Sequence, residues 1–336
     1  MIKKKRIVIL ETTLRDGGYP IDFQFTAKDT STIVAALEEA GFEFIEIGHG
    51  FGLNASNCGY GIAAVTDEEY LKAASGILKY AKFGMFFIPG IGRKEDLKMA
   101  ADYKMDFVRI GTNVTEVDES APYVEIAKNL GMKVSANLMK SYVLPPREFL
   151  KQAKKSENFG SDILVVVDSA GGMLPYEVSS YISILKENSE LPIGFHGHNN
   201  FSLAIANALS AIEAGATRID TTLRGMGRSA GNAQTEILVL LLKKLGYSIP
   251  IDFYKTMDLA ENLIRPLMKK AQEINSIAIV SGKAQFHSSF LPIIQKVAQK
   301  YDIDSRKLIE EVSRIERVHV TEELATRVAK SIRERN

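Results

Sequence analysis

The feature that most constrains this sequence is a regular alternation of short β-branched runs with longer amphipathic segments over residues 6–245. The runs predict buried strands, and the segments between them have the apolar periodicity of helices. The predicted strands lie at 6–10, 44–48, 83–88, 107–111, 133–138, 163–168, 193–196 and 218–222. The predicted helices lie at 28–40, 67–80, 94–103, 117–130, 146–158, 175–188, 201–214 and 232–245.

Eight strands alternating strictly with eight helices predict an α/β fold of the (β/α)8 TIM-barrel type. The pattern ends near residue 245, which agrees with the roughly 250 residues typical of such a barrel. An open doubly wound sheet is the alternative, and it calls for a G-x-G-x-x-G turn after the first strand. The chain has TLRDGG there instead, so we predict a barrel catalytic domain at 1–249.

The pattern changes after residue 249, where helical periodicity continues without a convincing strand. Predicted helices lie at 258–271, 288–300, 305–313 and 321–333. We therefore expect an all-helical C-terminal domain at 250–336.

Composition excludes several classes of protein. The chain has 336 residues, 46% hydrophobic and 25% charged, which is typical of a globular protein. Its 42 Lys and Arg against 41 Asp and Glu give a net charge of +1, so no overall field favours nucleic acid or an anionic membrane. A single cysteine excludes a disulfide framework, and no apolar stretch is long enough to span a membrane. We expect a cytoplasmic protein.

In a parallel barrel, reactive groups stand at the carboxyl ends of the strands. His196 and His198 alternate on the seventh predicted strand, so both imidazoles can face the same side and reach one ion. Asp16, after the first strand, is the candidate third ligand. Two imidazoles and one carboxylate suit a divalent metal and leave positions open for substrate. The alternative is a pair of histidines that merely cap a strand.

Other polar residues follow neighbouring strands. Arg15 places a permanent cation beside the predicted metal, where it can stabilise an enolate oxygen, although a structural ion pair is the alternative. Glu46 lies between two isoleucines and needs a partner such as Arg15 if it points inward, which leaves catalysis or a buried ion pair open. His49 follows the same strand. The turn GMGRSAGN at 225–232 lacks the ending of a phosphate loop, so we expect it to present Asn232.

At these residues the sequence resembles the metal-dependent lyases and Claisen-condensing synthases, which share a barrel with an Arg-Asp pair on strand 1 and His-x-His on strand 7. Within that superfamily it is most similar to the 4-hydroxy-2-oxovalerate aldolases, the class II pyruvate aldolases. The matching segments run through the whole barrel: TLRDG at 13–17, IEIGHG at 45–50, TDEEYL at 66–71, VDS at 167–169, GFHGHNN at 194–200, AIEAGATRID at 211–220 and AGN at 230–232.

The resemblance implies a lyase that forms or cleaves a 4-hydroxy-2-oxo acid, with a 2-oxo acid and an aldehyde as its small-molecule partners. It implies a divalent ion, usually Mn²⁺, with Mg²⁺, Co²⁺ or Zn²⁺ as alternatives. Asp16, His196 and His198 would hold the ion, with Asn232 behind them. Arg15 would stabilise the pyruvate enolate, and Ser169 would lie near the pyruvate carboxylate. Glu46 and His49 are the remaining candidates for substrate binding.

The sequence departs from the family at two positions. The family carries a histidine shortly after the Arg-Asp pair, as base on the 4-hydroxyl, and a tyrosine in the helical C-terminal region. Here the first position holds Tyr19, and the second holds His287, in HSSF at 287–290. We interpret this as an exchange of residue types, with His287 as general base and Tyr19 as its partner. The alternative is a loop aromatic and a surface histidine.

Two other functions stay open at this point. The turn at 225–232 also resembles the Gly-x-Gly-x-x-x-Gly-Asn of isopropylmalate and homocitrate synthases, which keeps an acyl-CoA-dependent Claisen synthase as the alternative. A non-enzymatic scaffold is the third possibility. The resemblance further implies that the C-terminal helices bind an acylating aldehyde dehydrogenase, although they can instead close a homodimer.

Overall fold

The computed structural model describes residues 6–335. Eight parallel strands pair in sequence order, and the first pairs with the last to close a barrel. The strands are β1 Val8–Glu11, β2 Phe44–Ile47, β3 Lys82–Phe87, β4 Phe107–Asn113, β5 Lys133–Met139, β6 Ile163–Asp168, β7 Ile193–Gly197 and β8 Arg218–Thr221. The predicted TIM barrel is confirmed.

One α-helix follows each strand. These helices are α1 Ala27–Glu39, α2 Asp67–Ser75, α3 Lys94–Asp102, α4 Ala121–Asn129, α5 Pro146–Asn158, α6 Pro175–Asn188, α7 Ala204–Ala214 and α8 Thr235–Lys244. A separate turn of 3-10 helix, Val117–Ser120, precedes α4. Short 3-10 turns also lie in the loops that follow β1, β2, β5 and β8.

Helix α2 is shorter than predicted, ending at Ser75 instead of residue 80. Gly76 follows as its C-cap. The carboxylate of Glu38 then accepts hydrogen bonds from the backbone N–H groups of Lys79, Tyr80 and Ala81, at 2.7–2.9 Å. These three donors are therefore satisfied from outside the helix, and the chain leaves it early.

The chain beyond the barrel is helical, as predicted. Its helices are α9 Phe253–Leu259, α10 Ser276–Ala284, α11 Leu291–Tyr301, α12 Ser305–Ser313 and α13 Glu322–Arg335. The predicted helix at 258–271 was misplaced: α9 starts earlier, because the Asp252 side chain caps it by accepting from Lys255 N at 3.0 Å. It gives way to a π turn and then to a 3-10 turn containing Pro266. Helix α10 was not predicted, and Asn275 caps it in the same way, accepting from Ala278 N.

Two hydrophobic cores hold the described residues together. The larger lies in and around the barrel and includes Leu259 and Ile264 beyond it. The smaller is formed by α11, α12 and α13 around residues such as Leu308 and Val328. The division into domains at 249/250 stays a prediction. The helices within residues 6–335 all fall short of the length and hydropathy of a membrane span.

Candidate active site

A cavity of about 300 Å³ opens at the carboxyl ends of the strands, the end of a TIM barrel that carries catalytic groups. Most of the sequence-predicted site residues line it, together with several that the sequence analysis did not single out. The lining includes Arg15, Asp16, Tyr19, Phe51, Asn113, Asn137, Lys140, Ser169, His196, His198, Arg228 and His287.

Asp16, His196 and His198 form the one cluster of potential metal ligands found among the described residues. One ligand atom from each lies within 4.8 Å of the other two. All three side chains are buried, with exposures of 2%, 6% and 5%. The imidazoles come from β7 and the residue after it, as the alternation of strand side chains predicts, and their ring centres are 5.1 Å apart.

The outer ring nitrogen of each histidine, Nδ1, already has a hydrogen-bond partner. His196 Nδ1 lies 3.0 Å from Asp220 Oδ2, and His198 Nδ1 lies 3.3 Å from the Gly231 carbonyl. Since both partners accept, each Nδ1 donates, and each Nε2 keeps a free lone pair. His196 Nε2 is 3.9 Å from Asp16 Oδ2. This donor set, two imidazole nitrogens and a carboxylate oxygen oriented by outer acceptors, fits a divalent cation.

Electrostatics keeps these ligands in their binding forms. Burial raises the pKa of Asp16, but Arg15, His198 and His196 outweigh it and hold the pKa below its usual range. Burial lowers the pKa of His198 to about 3. At neutral pH Asp16 is therefore an anion and His198 a neutral imidazole, which are the states that bind a metal.

The glycine-rich turn places Asn232 against the cluster, as its position in the sequence suggested. Asn232 Nδ2 donates to Asp16 Oδ2 and to the Met226 carbonyl. Gly231 has φ of +87°, and a Cβ there would lie 2.0 Å from the Gly225 carbonyl oxygen. Only glycine fits at position 231 of this turn. The Gly231 carbonyl also accepts the hydrogen bond from His198 Nδ1.

Arg15 lies beside Asp16 in a buried ion-pair network. Its Nη1 donates to Asp16 at 2.7 Å, and its Nε donates to Glu46 at 2.8 Å. Burial alone would lower the pKa of Arg15, but the carboxylates of Glu46 and Asp16 raise it by more. The net change is a rise, so the guanidinium stays charged. The pair between Glu46 and Arg15 that the sequence analysis considered is therefore present.

Arg109 is a member of this network that the sequence analysis missed. It is 1% exposed on β4 and donates to Glu46 at 2.6 Å and to Asp220. The signal was a single charged residue inside the apolar run FVRIG at 107–111. The sequence analysis also missed Asp220, which joins this network to His196.

Two predicted substrate-binding residues do not line the cavity. The Glu46 carboxylate lies beneath Arg15, between two arginines. His49 faces its own loop: Nε2 lies 3.2 Å from the Gly61 carbonyl, and Nδ1 accepts from Phe51 N at 3.1 Å. Its ring stacks on Phe23 at 3.9 Å, and burial lowers its pKa to about 4. Both ring nitrogens of His49 therefore already have partners in its own loop. Substrate binding by Glu46 or His49 stays a prediction that no contact in the structure supports.

Ser169 and Lys140 lie together on one wall of the cavity. The Ser169 hydroxyl accepts a hydrogen bond from Lys140 N at 3.0 Å. Lys140 Nζ donates to the Val318 carbonyl, 2.6 Å distant in the C-terminal region, and lies 5.1 Å from the ring centre of Phe290, which also lines the cavity. Burial lowers the pKa of Lys140 to about 8. Lys140 was missed because a lysine after a strand resembles any solvated residue in the sequence.

Tyr19 and His287 reach the same cavity, but Arg228 lies between them. The Arg228 Nη2 donates to the Tyr19 hydroxyl, and its Nη1 lies 3.0 Å from His287 Nε2. An arginine cannot accept, so His287 Nε2 accepts from Arg228. Nδ1 faces Ser289: it lies 2.6 Å from Ser289 Oγ and accepts from Ser289 N at 3.3 Å. Burial and Arg228 hold the pKa of His287 well below its usual range. The imidazole is neutral and thus in the form of a base.

Two family models match successive parts of the chain, and solved structures share its fold. Residues 6–263 match the HMGL-like family model, and residues 272–334 match the DmpG-like communication domain. The carboxyl transferase domain of pyruvate carboxylase from Rhizobium etli shares the fold, with a TM-score of 0.80, 17% identity, and 99% of this chain and 62% of that chain covered. HMG-CoA lyase from Bacillus subtilis shares it with a TM-score of 0.70, 20% identity and coverage of 84% and 100%.

Relatives in sequence cover almost the whole chain. A 4-hydroxy-2-oxovalerate aldolase from Carboxydothermus hydrogenoformans is 44% identical over 99% of both chains. One from Geobacillus stearothermophilus is 42% identical over 98% of this chain and 96% of the relative. The chain therefore belongs to the family of 4-hydroxy-2-oxovalerate aldolases and is a lyase.

Proposed function

We propose that this enzyme cleaves a 4-hydroxy-2-oxo acid to pyruvate and an aldehyde, and forms it in reverse, with a divalent metal at Asp16, His196 and His198. The observation that carries the proposal is the presence of this ligand cluster and Arg15 in one cavity at the barrel mouth. The names of the relatives favour an aldolase over the acyl-CoA-dependent synthase considered from the sequence.

The metal site is proposed on its donor set. Asp16 supplies the carboxylate, and the two histidines supply Nε2 lone pairs that their outer hydrogen bonds leave free. Asn232 orients Asp16. A divalent ion bound there would act as a Lewis acid on the 2-oxo group of the substrate. Mn²⁺ is the ion we propose, because the family resemblance of the sequence implies it and the Asp16 carboxylate is a donor that suits it.

Arg15 is proposed to stabilise the enolate. Cleavage of the C3–C4 bond leaves its electron pair on C3, conjugated with the C2 carbonyl, so negative charge develops on the C2 oxygen. Arg15 is held rigid by Glu46 and Asp16 and lines the cavity, so its charge is oriented before the reaction. Protonation of C3 then gives pyruvate. We propose that Ser169, which lines the same cavity, binds the pyruvate carboxylate.

His287 is proposed as the general base. Its Nε2 would take the proton of the 4-hydroxyl as C4 becomes the aldehyde carbonyl, while Nδ1 stays bound to Ser289. Nε2 accepts from Arg228 in this structure, so the 4-hydroxyl must replace that contact before proton transfer. Tyr19 shares the same arginine and is proposed to orient the hydroxyl beside His287.

The communication-domain match at 272–334 supports a protein partner. We propose that this segment binds an aldehyde dehydrogenase that receives the aldehyde. A second copy of the chain is the alternative partner, and the cytoplasmic location stays a prediction.

The aldolase assignment is tested with pyruvate and a set of aldehydes in the presence of Mn²⁺, with product mass as the measurement. Formation of 4-hydroxy-2-oxo acids supports the proposal. Release of free thiol from acetyl-CoA with a 2-oxo acid, without aldol product, contradicts it.

A further inference from the structure

Arg228 is held firmly at the mouth of the cavity by aromatic rings. Its guanidinium carbon lies 4.2 Å from the centre of the Tyr19 ring and 4.8 Å from that of Phe51. Cation–π contacts of this kind fix the plane of a guanidinium without neutralising it. The side chain is half-buried and lines the cavity.

The charge of Arg228 has no direct counter-ion. Its two hydrogen-bond partners, the Tyr19 hydroxyl and the His287 imidazole, are both neutral. No carboxylate of the described residues lies within 4.0 Å of it, whereas Arg15 pairs with two. A guanidinium has five N–H groups, so donors remain for a ligand.

Lys140 is a second cation on the cavity wall. It is 5% exposed, its Nζ donates to a backbone carbonyl, and it lies 5.1 Å from the Phe290 ring centre. It too has no carboxylate within 4.0 Å among the described residues. Asp16 is the one acidic residue in the cavity lining, and the proposed function assigns it to the metal.

We propose that Arg228 determines substrate specificity by binding an anionic group, a carboxylate or a phosphate, on the aldehyde portion of the substrate, with Lys140 beside it. This inference rests on the proposed function. It makes the natural aldehyde an acidic one, and the cleaved substrate a 4-hydroxy-2-oxo acid with a second anionic group.

The position of Arg228 assigns it to the aldehyde end. Arg15 and Asp16 belong to the end where the 2-oxo group binds, whereas Arg228 contacts His287, the proposed base on the 4-hydroxyl. A substituent of the substrate beyond C4 would therefore contact Arg228. An anion that takes the Nη1 hydrogen bond of Arg228 also frees the lone pair of His287 Nε2. Binding of the correct aldehyde portion and release of the base are then the same event.

The test compares pairs of aldehydes in which one member carries an anionic group and the other a neutral group at the same position. The enzyme with Mn²⁺ and pyruvate is assayed with succinate semialdehyde against butanal, and with glyceraldehyde 3-phosphate against glyceraldehyde. We expect kcat/KM to favour the anionic member of at least one pair by about 10- to 100-fold, the range of one charge-assisted contact. The pair that shows the preference identifies the carboxylate or the phosphate.

Variants assign the preference to Arg228. Arg228→Met should remove it, and Arg228→Lys should restore part of it, because the charge returns without the forked geometry. Arg224→Met is the matched control: Arg224 lies in the same region but pairs with Glu261 outside the cavity, so its variant should keep the preference. Exchange of pyruvate methyl protons in D₂O, which needs no aldehyde, reports in each variant whether the pyruvate half of the site is intact.

The outcomes separate the two proposals. Equal use of charged and neutral aldehydes, or a preference that survives in Arg228→Met, overturns the assignment of Arg228 while pyruvate exchange continues. Absence of pyruvate exchange and of any aldol product in the unsubstituted enzyme overturns the proposed function itself.

Discussion

The Asp220 carboxylate lies 3.0 Å from His196 Nδ1 and directs the other ring nitrogen of that histidine towards Asp16. Asp220 is itself paired with Arg109, so its oxygen is fixed from behind. A carboxylate that accepts from the outer nitrogen of a histidine raises the basicity of the inner nitrogen and fixes its tautomer. The metal site is thus anchored to the buried ion pairs of the barrel interior.

Replacement of Asp220 by Asn should therefore weaken metal binding. We expect the Mn²⁺ affinity of Asp220→Asn to fall by about 10- to 100-fold, because His196 loses a charged acceptor while the ligands remain. Titration calorimetry with Mn²⁺ measures this. Asp102→Asn, an exposed carboxylate on α3, makes the same chemical change away from the site and should bind Mn²⁺ normally. Equal affinities in the two variants would show that Asp220 does not act on the metal.

Loss of a proposed ligand should remove both metal and activity. His198→Ala should copurify with little divalent metal and lose aldol cleavage by more than about 100-fold, since the Lewis acid is lost. His319→Ala removes an exposed histidine that pairs with Glu116, and it should retain both. Elemental analysis of the purified proteins provides the first measurement and pyruvate release the second. A fully metallated and active His198→Ala enzyme contradicts the proposed site.

The proposed base should affect turnover without affecting the metal. His287→Asn removes the titrating nitrogen and should lower kcat for cleavage by roughly 10²- to 10⁴-fold, the contribution of a positioned base. Metal content should be unchanged, because His287 contacts Arg228 and Ser289 and no proposed ligand. Tyr19→Phe, which loses only a hydroxyl, should have a smaller effect. Full turnover in His287→Asn would rule out the assignment.

The barrel was predictable from the sequence because each strand is an apolar run bounded by helical periodicity. Four predicted elements agree with the structure at both ends, three in the barrel and one beyond it: residues 146–158, 163–168, 175–188 and 305–313. The ends of α2 and α9 were not predictable, because they depend on contacts with Glu38 and on an Asp252 cap followed by Pro266.

The residues of the site likewise divide into those that the sequence predicted and those that it did not. Asp16, His196 and His198 have local signals, an acidic residue after β1 and an alternation on β7, and the structure brings them together. Arg228 had no such signal. The sequence analysis read its turn as shaping the backbone towards Asn232, and nothing local indicates that its side chain reaches Tyr19 and His287 from 209 and 59 residues away.

Glu11 is a fully buried carboxyl at the end of β1. We expect it to contribute strongly to the pH dependence of the free energy of unfolding. Burial raises its pKa from 4.5 to about 7, although it accepts hydrogen bonds from Thr13, Leu223 and Thr235. Between these two values the folded protein keeps a proton that the unfolded chain has lost. The free energy of unfolding therefore falls as pH rises through this window, by roughly 3 kcal/mol for the full difference.

Comparison of the enzyme with Glu11→Gln isolates this contribution, because the amide cannot titrate. Urea denaturation at about pH 5 and at about pH 7.5 gives the free energy of unfolding of each protein. The difference, unsubstituted minus variant, should decrease with rising pH whatever its absolute value, since every other titrating group cancels. Glu125→Gln, at an exposed position of α4, should show no such trend. A difference that stays constant or grows with pH would mean that the hydrogen bonds to Glu11 outweigh its burial and that the carboxylate is charged in the folded barrel.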